Sequence, residues 1–69
     1  SATKRSGPIS INRATVSDFD SLDGIGPVIA RRIVEYRKTH GPFMTIEDLQ
    51  KVSGIGEAKF AQIKSKIRI

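Results

Sequence analysis

Residues 22–28 read Leu22-Asp23-Gly24-Ile25-Gly26-Pro27-Val28, and residues 52–58 read Val52-Ser53-Gly54-Ile55-Gly56-Glu57-Ala58. The two runs lie 30 residues apart, and shifting the chain by that interval lays one half over the other. Thr15 falls on Thr45, Asp18 on Asp48, Phe19 on Leu49, Leu22 on Val52 and Ile33 on Ile63. Identities sit at turn and cap positions, while apolar positions exchange one apolar type for another. A repeated turn flanked by repeated apolar stripes predicts a repeated helical hairpin.

Each copy opens with Thr followed three residues later by Asp, at Thr15 and Asp18 and at Thr45 and Asp48. This is the spacing of a capping box, with Asp replacing the usual Glu or Gln, and it predicts short helices that a glycine ends after about two turns. Phe19 with Leu22, and Leu49 with Val52, give each short helix one apolar face. Two glycines around one isoleucine permit a sharp turn with positive φ, and Ile25 or Ile55 then plugs the gap between flanking helices. Pro27 suits a first helical position, and the helix it opens is expected to run to about Lys38. Ile29, Ala30, Ile33, Val34 and Tyr36 or Arg37 form its buried stripe, leaving Arg31, Arg32 and Glu35 towards solvent. Phe60, Ile63 and Ile67 repeat that stripe in the second copy, with Lys59, Lys64 and Lys66 outside it or at its edge. Gly41 and Pro42 reverse the chain between copies and Phe43 tucks back into a shared core. Ile9–Ile11 is the one strand-like run, too short to form a sheet; residues 1–8 read as a flexible tail or linker and 9–69 as the folded domain.

With 69 residues and no cysteine, the chain is one small domain without disulfide or thiolate–metal support, and it has no room for a large enclosed substrate cavity. A net charge of +5 favours an anionic partner, nucleic acid or an anionic membrane. No apolar run approaches the roughly 20 residues that cross a bilayer, and the opening residues 1–8 lack the apolar core of a signal peptide, so a soluble module without membrane contact is expected. Met44 is the only methionine, which suggests a piece of a longer protein.

Catalysis finds little support. His40 has no Cys or His companion and reads as a solvated or capping residue. A calcium loop starting at Asp18 would put Leu22 at a ligand position and Ile29 at the closing glutamate, so Asp18, Asp20 and Asp23 read as caps and surface groups. A dinucleotide fingerprint fails because Ile29 and Lys59 stand where its third glycine would fall and no strand precedes either hairpin. With no nucleophile, base and orienting group brought together, an enzyme is not expected.

What the hairpin does offer is an anion site. Amide N–H groups at a helix N-terminus lack intrahelical partners, and the helix dipole adds positive potential there. Glycine lets a phosphate approach the main chain, and a basic side chain one turn on can neutralise it: Lys59 in the second copy, Arg31 and Arg32 in the first. Two such sites related by an approximate twofold suit the two phosphate strands of a duplex.

On these residues, Leu22 to Val34 and Val52 to Ile67 each resemble the helix-hairpin-helix motif of DNA-binding proteins that do not read base sequence. Ile9 to Thr15, Tyr36-Arg37, Gly41-Pro42-Phe43, Ile46-Glu47-Asp48-Leu49 and Gly54-Ile55-Gly56-Glu57 extend the resemblance, over about residues 9–69, to the DNA-binding domain of the competence protein ComEA family. The resemblance implies an all-α fold: a compact bundle of about five short helices with the tandem arrangement of SAM-like folds and of RuvA domain 2. It further implies sequence-independent binding of double-stranded DNA through minor-groove phosphates. In the ComEA family such a domain is the receptor for transforming DNA outside the cytoplasmic membrane. By position, the implied DNA contacts are Gly24, Ile25, Gly26 and Val28, then Gly54, Ile55, Gly56 and Ala58, with Arg31, Arg32 and Lys59 as cations. Ile29 departs from the family lysine matched by Lys59, and Ser10 and Arg13 replace a more usual Asn and Thr. No cofactor is implied beyond the monovalent cation that hairpin carbonyls hold in some motifs, and a monomer is expected. The residues also leave open a module of a DNA repair or processing protein, and a protein-docking module without direct DNA contact.

Overall fold

The computed structural model describes residues 8–69, so apart from Pro8 the expected tail lies outside the described residues. The chain runs through β1 (Ile9–Ser10), α1 (Val16–Asp20), α2 (Pro27–His40), a 3₁₀ segment (Ile46–Lys51), α3 (Glu57–Ile63), a second 3₁₀ segment (Lys64–Lys66) and β2 (Ile67–Arg68). It is an all-α bundle in which three α-helices and two 3₁₀ segments fill the five helical places.

The caps start the short helices as their spacing predicts. Thr15 Oγ1 accepts the Asp18 N–H at 3.2 Å, and the Asp18 carboxylate accepts the Thr15 N–H at 3.0 Å. In the second copy the Asp48 carboxylate accepts from Met44 and Thr45 N–H at 3.1 and 3.4 Å. There the Asp48 N–H bonds the Thr45 carbonyl at 3.2 Å, a three-residue step, and the segment winds as a 3₁₀ helix. α2 continues two residues past Lys38 and ends at Gly41, whose φ of +90° suits glycine and whose N–H donates to the Arg37 carbonyl at 2.9 Å.

The core is the repeat folded onto itself. Phe19 and Leu49, Leu22 and Val52, Ile25 and Ile55, Ala30 and Phe60, and Ile33 and Ile63 are five pairs separated by 30 residues, and all ten side chains are buried. Strict symmetry fails at Ala30 and Phe60, where a small and a large side chain hold equivalent buried places. Ile9, Ile11, Ala14, Phe43 and Ile67 complete the cluster.

Two expectations fail at the chain ends. α3 stops at Ile63, so Ile67 does not extend its stripe, and the Ile9 run does form a sheet, pairing in parallel with β2 in the register Ile9 to Ile67 and Ser10 to Arg68. The Ile11 N–H continues the ladder to the Arg68 carbonyl at 2.8 Å. The four-residue spacing from Ile63 to Ile67 fits a helix, yet bringing the ends side by side buries Ile9 and Ile67 together, which a longer helix would not. A ladder this short persists because it lies on the core. Nearby, the Arg37 guanidinium donates to the Ile11 and Ala14 carbonyls, both at 2.9 Å. Asn12 and the Phe43 main chain exchange hydrogen bonds of 2.7 and 3.0 Å, which tie the entry segment to the link between copies. Among the described residues no helix is long and apolar enough to cross a membrane.

The Met44 N–H, aided by the Lys51 charge at 3.5 Å and the Thr45 N–H, holds the Asp48 carboxyl below its ordinary pKa of 3.8, against the opposing effect of desolvation. A group whose folded pKa is depressed contributes stability above its unfolded value and loses it as pH falls through the folded one. Asp48→Asn should therefore lower the melting temperature at neutral pH, and the difference from the parent should vanish in acid, well below pH 3.8, when both are melted across a pH series.

Candidate nucleic-acid interface

The two glycines of each hairpin do different work. Gly24 and Gly54 have φ of +89° and +101°, in the left-handed region that a side chain disfavours. Gly26 and Gly56 are extended, with φ of −94° and −96°, which any residue adopts. The sequence expectation of positive φ thus holds for the first glycine of each pair alone, because a single left-handed residue completes the turn. Among the described residues, a Cβ built on Gly26 or Gly56 would meet nothing within 4 Å. Neither conformation nor packing within the chain calls for glycine there.

The first glycines face the opposite copy. A Cβ on Gly24 would lie 2.8 Å from Gln62 Oε1, and one on Gly54 would lie 3.2 Å from Ile29 Cγ1 and 3.3 Å from Arg32 Nη1. Position 62 is position 32 moved by one repeat, as 54 is 24, so the contacts are reciprocal. Each turn is backed by the second helix of the other copy, which realises the approximate twofold. Between the glycines the Ile25 and Ile55 side chains are buried, and their N–H groups donate to the Leu22 and Val52 carbonyls at 3.1 and 3.0 Å. These isoleucines present no side chain to a ligand.

Behind each open glycine a helix begins. The first intrahelical amides are Ala30 to the Gly26 carbonyl and Phe60 to the Gly56 carbonyl, both at 2.9 Å. The amides ahead of them, on Val28 and Ile29 and on Glu57, Ala58 and Lys59, have no helical acceptor, and no side chain caps either helix. Pro27 removes one donor from the first set, whereas Glu57 keeps its donor but adds an acid. Val28 and Ala58 are exposed beside the glycines, as an external contact requires.

The cations are distributed otherwise than the sequence reading supposes. Arg31 is exposed on α2, but Arg32 crosses to the other copy, where its Nη1 donates to the Ser53 carbonyl at 3.4 Å, directly before Gly54. Arg32 therefore stands at the second hairpin, not the first, because a long side chain facing the interface reaches the turn packed against it. Lys59 is half-buried on the first turn of α3. Beside the first hairpin, Asp23 has Lys66 at 3.9 Å, an exposed pair that tempers its charge and adds little stability. Gln62 and Lys66 are the residues at the first hairpin that the sequence does not assign to the site. The repeat carries a signal for Gln62, as the equivalent of Arg32, and none for Lys66. Of the carbonyls at the second hairpin, that of Ser53 faces the Arg32 guanidinium.

The helix-hairpin-helix motif family matches residues 4–68. The chain is 48% identical over 61 residues to ComE operon protein 1 of Bacillus subtilis, covering 88% of this chain and 30% of the relative. It is 44% identical over 59 residues to the human endonuclease/exonuclease/phosphatase family domain-containing protein 1, covering 86% of this chain and 10% of that protein. An uncharacterized protein of Haemophilus influenzae is 43% identical over 63 residues, or 90% of this chain and 56% of its own length. The chain thus spans between a tenth and about half of these relatives.

Substitutions should separate the two kinds of glycine. Gly24→Ala and Gly54→Ala are each expected to cost about 1–2 kcal/mol, from the left-handed backbone alone. Gly26→Ala and Gly56→Ala should each cost under about 1 kcal/mol, the preference for glycine over alanine at a helix N-cap. Urea unfolding of the four variants reads the difference directly.

Proposed function

We propose, from the premise that this chain belongs to the helix-hairpin-helix family, that it is a binding module holding double-stranded DNA through backbone phosphates at both hairpins, without reading bases. The observation that carries this reading is the pair of open glycines. Gly26 and Gly56 stand at equivalent places, each ahead of uncapped amides, and the surrounding chain requires a side-chain-free surface at neither. A phosphate approaching those amides would require one. Gly24, Ile25, Gly54 and Ile55 shape the turns. Main-chain donors come from Gly26 and Val28, and from Gly56 and Ala58. Arg31 serves the first hairpin, Arg32 the second, and Lys59 adds charge on α3.

The hairpins are not equivalent. The second has an additional donor and a guanidinium beside it, offset by Glu57; the first has Pro27, Asp23 and Ile29. The second is accordingly the stronger phosphate site. Likeness to ComE operon protein 1 over 88% of the chain supports a place in a competence protein of the ComEA family, receiving DNA outside the cytoplasmic membrane. The chain acts there as the DNA-holding part and not as an enzyme, and it binds as a monomer.

Main-chain and Lys or Arg contacts to phosphate carry no base code. Random duplexes should bind alike, in the non-specific range of about 10⁻⁴ to 10⁻⁶ M near physiological salt, with affinity falling steeply as salt rises. Arg32→Ala and Lys59→Ala should each lower the log–log salt slope by about one unit on every duplex. A Gly26→Val, Gly56→Val double variant should keep its helical circular dichroism and lose duplex affinity. Fluorescence anisotropy at several salt concentrations measures all of these. A folded double variant that binds as tightly as the parent, or a parent that binds no duplex, would overturn the reading and leave protein docking in its place.

A further inference from the structure

The hairpins leave unused a cluster at the opposite end of α2, about 20 Å along the helix axis from Pro27. Tyr36 stacks on His40, with ring centroids 4.0 Å apart and planes 19° from parallel, and on Phe43, at 5.6 Å and 6°. Phe43 is buried and its main chain is held by Asn12, so the inner end of the stack is fixed. His40 is exposed, with Nδ1 3.3 Å from the Tyr36 carbonyl. Beside it Met44 is 81% exposed, the most exposed of the large apolar side chains among the described residues. A cleft of about 170 Å³ opens here, bounded by Tyr36, His40, Pro42, Met44, Asp48 and Lys51.

These walls have a specific chemistry. Near-parallel rings and a thioether form a flat, polarizable surface for a planar aromatic group. The Asp48 carboxylate accepts the Met44 and Thr45 amides and has capacity for a further donor. Lys51, mostly exposed, places its ammonium at the rim 3.5 Å from Asp48 Oδ1, with its remaining N–H donors open to a second anion. We propose that this cleft is a stacking site for one unpaired nucleobase of a single-stranded DNA end: the base lies on the His40–Tyr36 stack, an exocyclic amine donates to Asp48, and the adjoining phosphate faces Lys51. Exposed aromatic surfaces in basic proteins take single-stranded bases in this way. An aromatic side chain from a protein partner would fill the same space, but the net charge of +5 favours the nucleotide. That the strand belongs to the duplex on the hairpins rests on the function proposed above; the cleft itself does not.

The test uses the whole chain and three duplexes: blunt, with an overhang of six deoxycytidines, and with an abasic overhang carrying the same phosphates. The deoxycytidine overhang should bind at least about fivefold more tightly than the abasic one, the effect of stacking a single base. His40→Ala, at an exposed position, should abolish that difference and leave blunt-duplex affinity unchanged. His40 and Tyr36 are the only histidine and tyrosine, so their ring proton resonances report the cleft without ambiguity, and hexadeoxycytidylate alone should shift both. Equal binding of the two overhangs, or a difference that survives His40→Ala, overturns the proposal. If the blunt duplex does not bind, the hairpin reading fails while the cleft is still tested. Ring shifts with hexadeoxycytidylate uphold it, and shifts with an aromatic peptide but not the oligonucleotide overturn it in favour of a protein partner.

Discussion

The structure depends on the packing of each turn against the other copy's second helix. A five-residue helix, a tight turn and a second helix cannot bury their own apolar stripe, so neither copy has a core by itself. The left-handed residue at Gly24 meets Gln62, and that at Gly54 meets Ile29 and Arg32. Five buried pairs at the repeat interval fill the space between. Once the turns are fixed in this way, the open glycines and the helix N-termini behind them are fixed too. The external surface is thus set by the internal symmetry.

Departures from symmetry matter because the frame is symmetric. Arg32 and Gln62 occupy equivalent places, yet only the former brings charge, and it brings it to the hairpin of the other copy. Ile29 packs half-buried at Gly54 where its equivalent Lys59 carries an ammonium. Asp23 and Ser53 precede the two turns, and the acidic one draws Lys66 to it. Each exchange leaves the shared core intact, because it falls at the rim of the interface. A duplicated scaffold can therefore present two hairpins of different local charge on one core.

How much was legible in the sequence follows from the range of each interaction. Thr15 with Asp18, and Gly24 with Gly54, act over three residues or on their own backbone, so spacing and residue type foretell them. The buried stripe was legible for the same reason, and the 30-residue register supplied its pairing. Ile67 was misread because a step of four residues fits both a helix and a chain returning to lie beside Ile9; only the whole fold decides between them. The destination of Arg32 was hidden likewise, since a side chain that crosses between copies depends on how they pack. Gly26 and Gly56 are site candidates in the sequence because a missing Cβ admits a phosphate, and both do face open space; the positive φ expected of each glycine pair belongs to Gly24 and Gly54 alone. The ring stack could not be foreseen, because Tyr36 and His40 are helical neighbours but Phe43 joins them only through the turn that Asn12 holds.

Two phosphate sites paired on one core, as proposed, would have an energetic consequence that single hairpins lack. If both hairpins take phosphates as proposed, fixing one would bring the second strand to the other site as an intramolecular event, and the two contacts would reinforce each other to the extent that their separation matches the duplex. The match is one of backbone shape, which varies little with base sequence compared with the pattern of base edges. Under the proposed function, indifference to sequence would thus originate in the cross-copy packing that sets the spacing of the two hairpins. A ligand that spans both hairpins also binds the folded chain and not the unfolded one, so it stabilises this small core in proportion to its concentration. In a domain of this size, with no disulfide to assist, binding as proposed would be coupled to folding stability through the same interface.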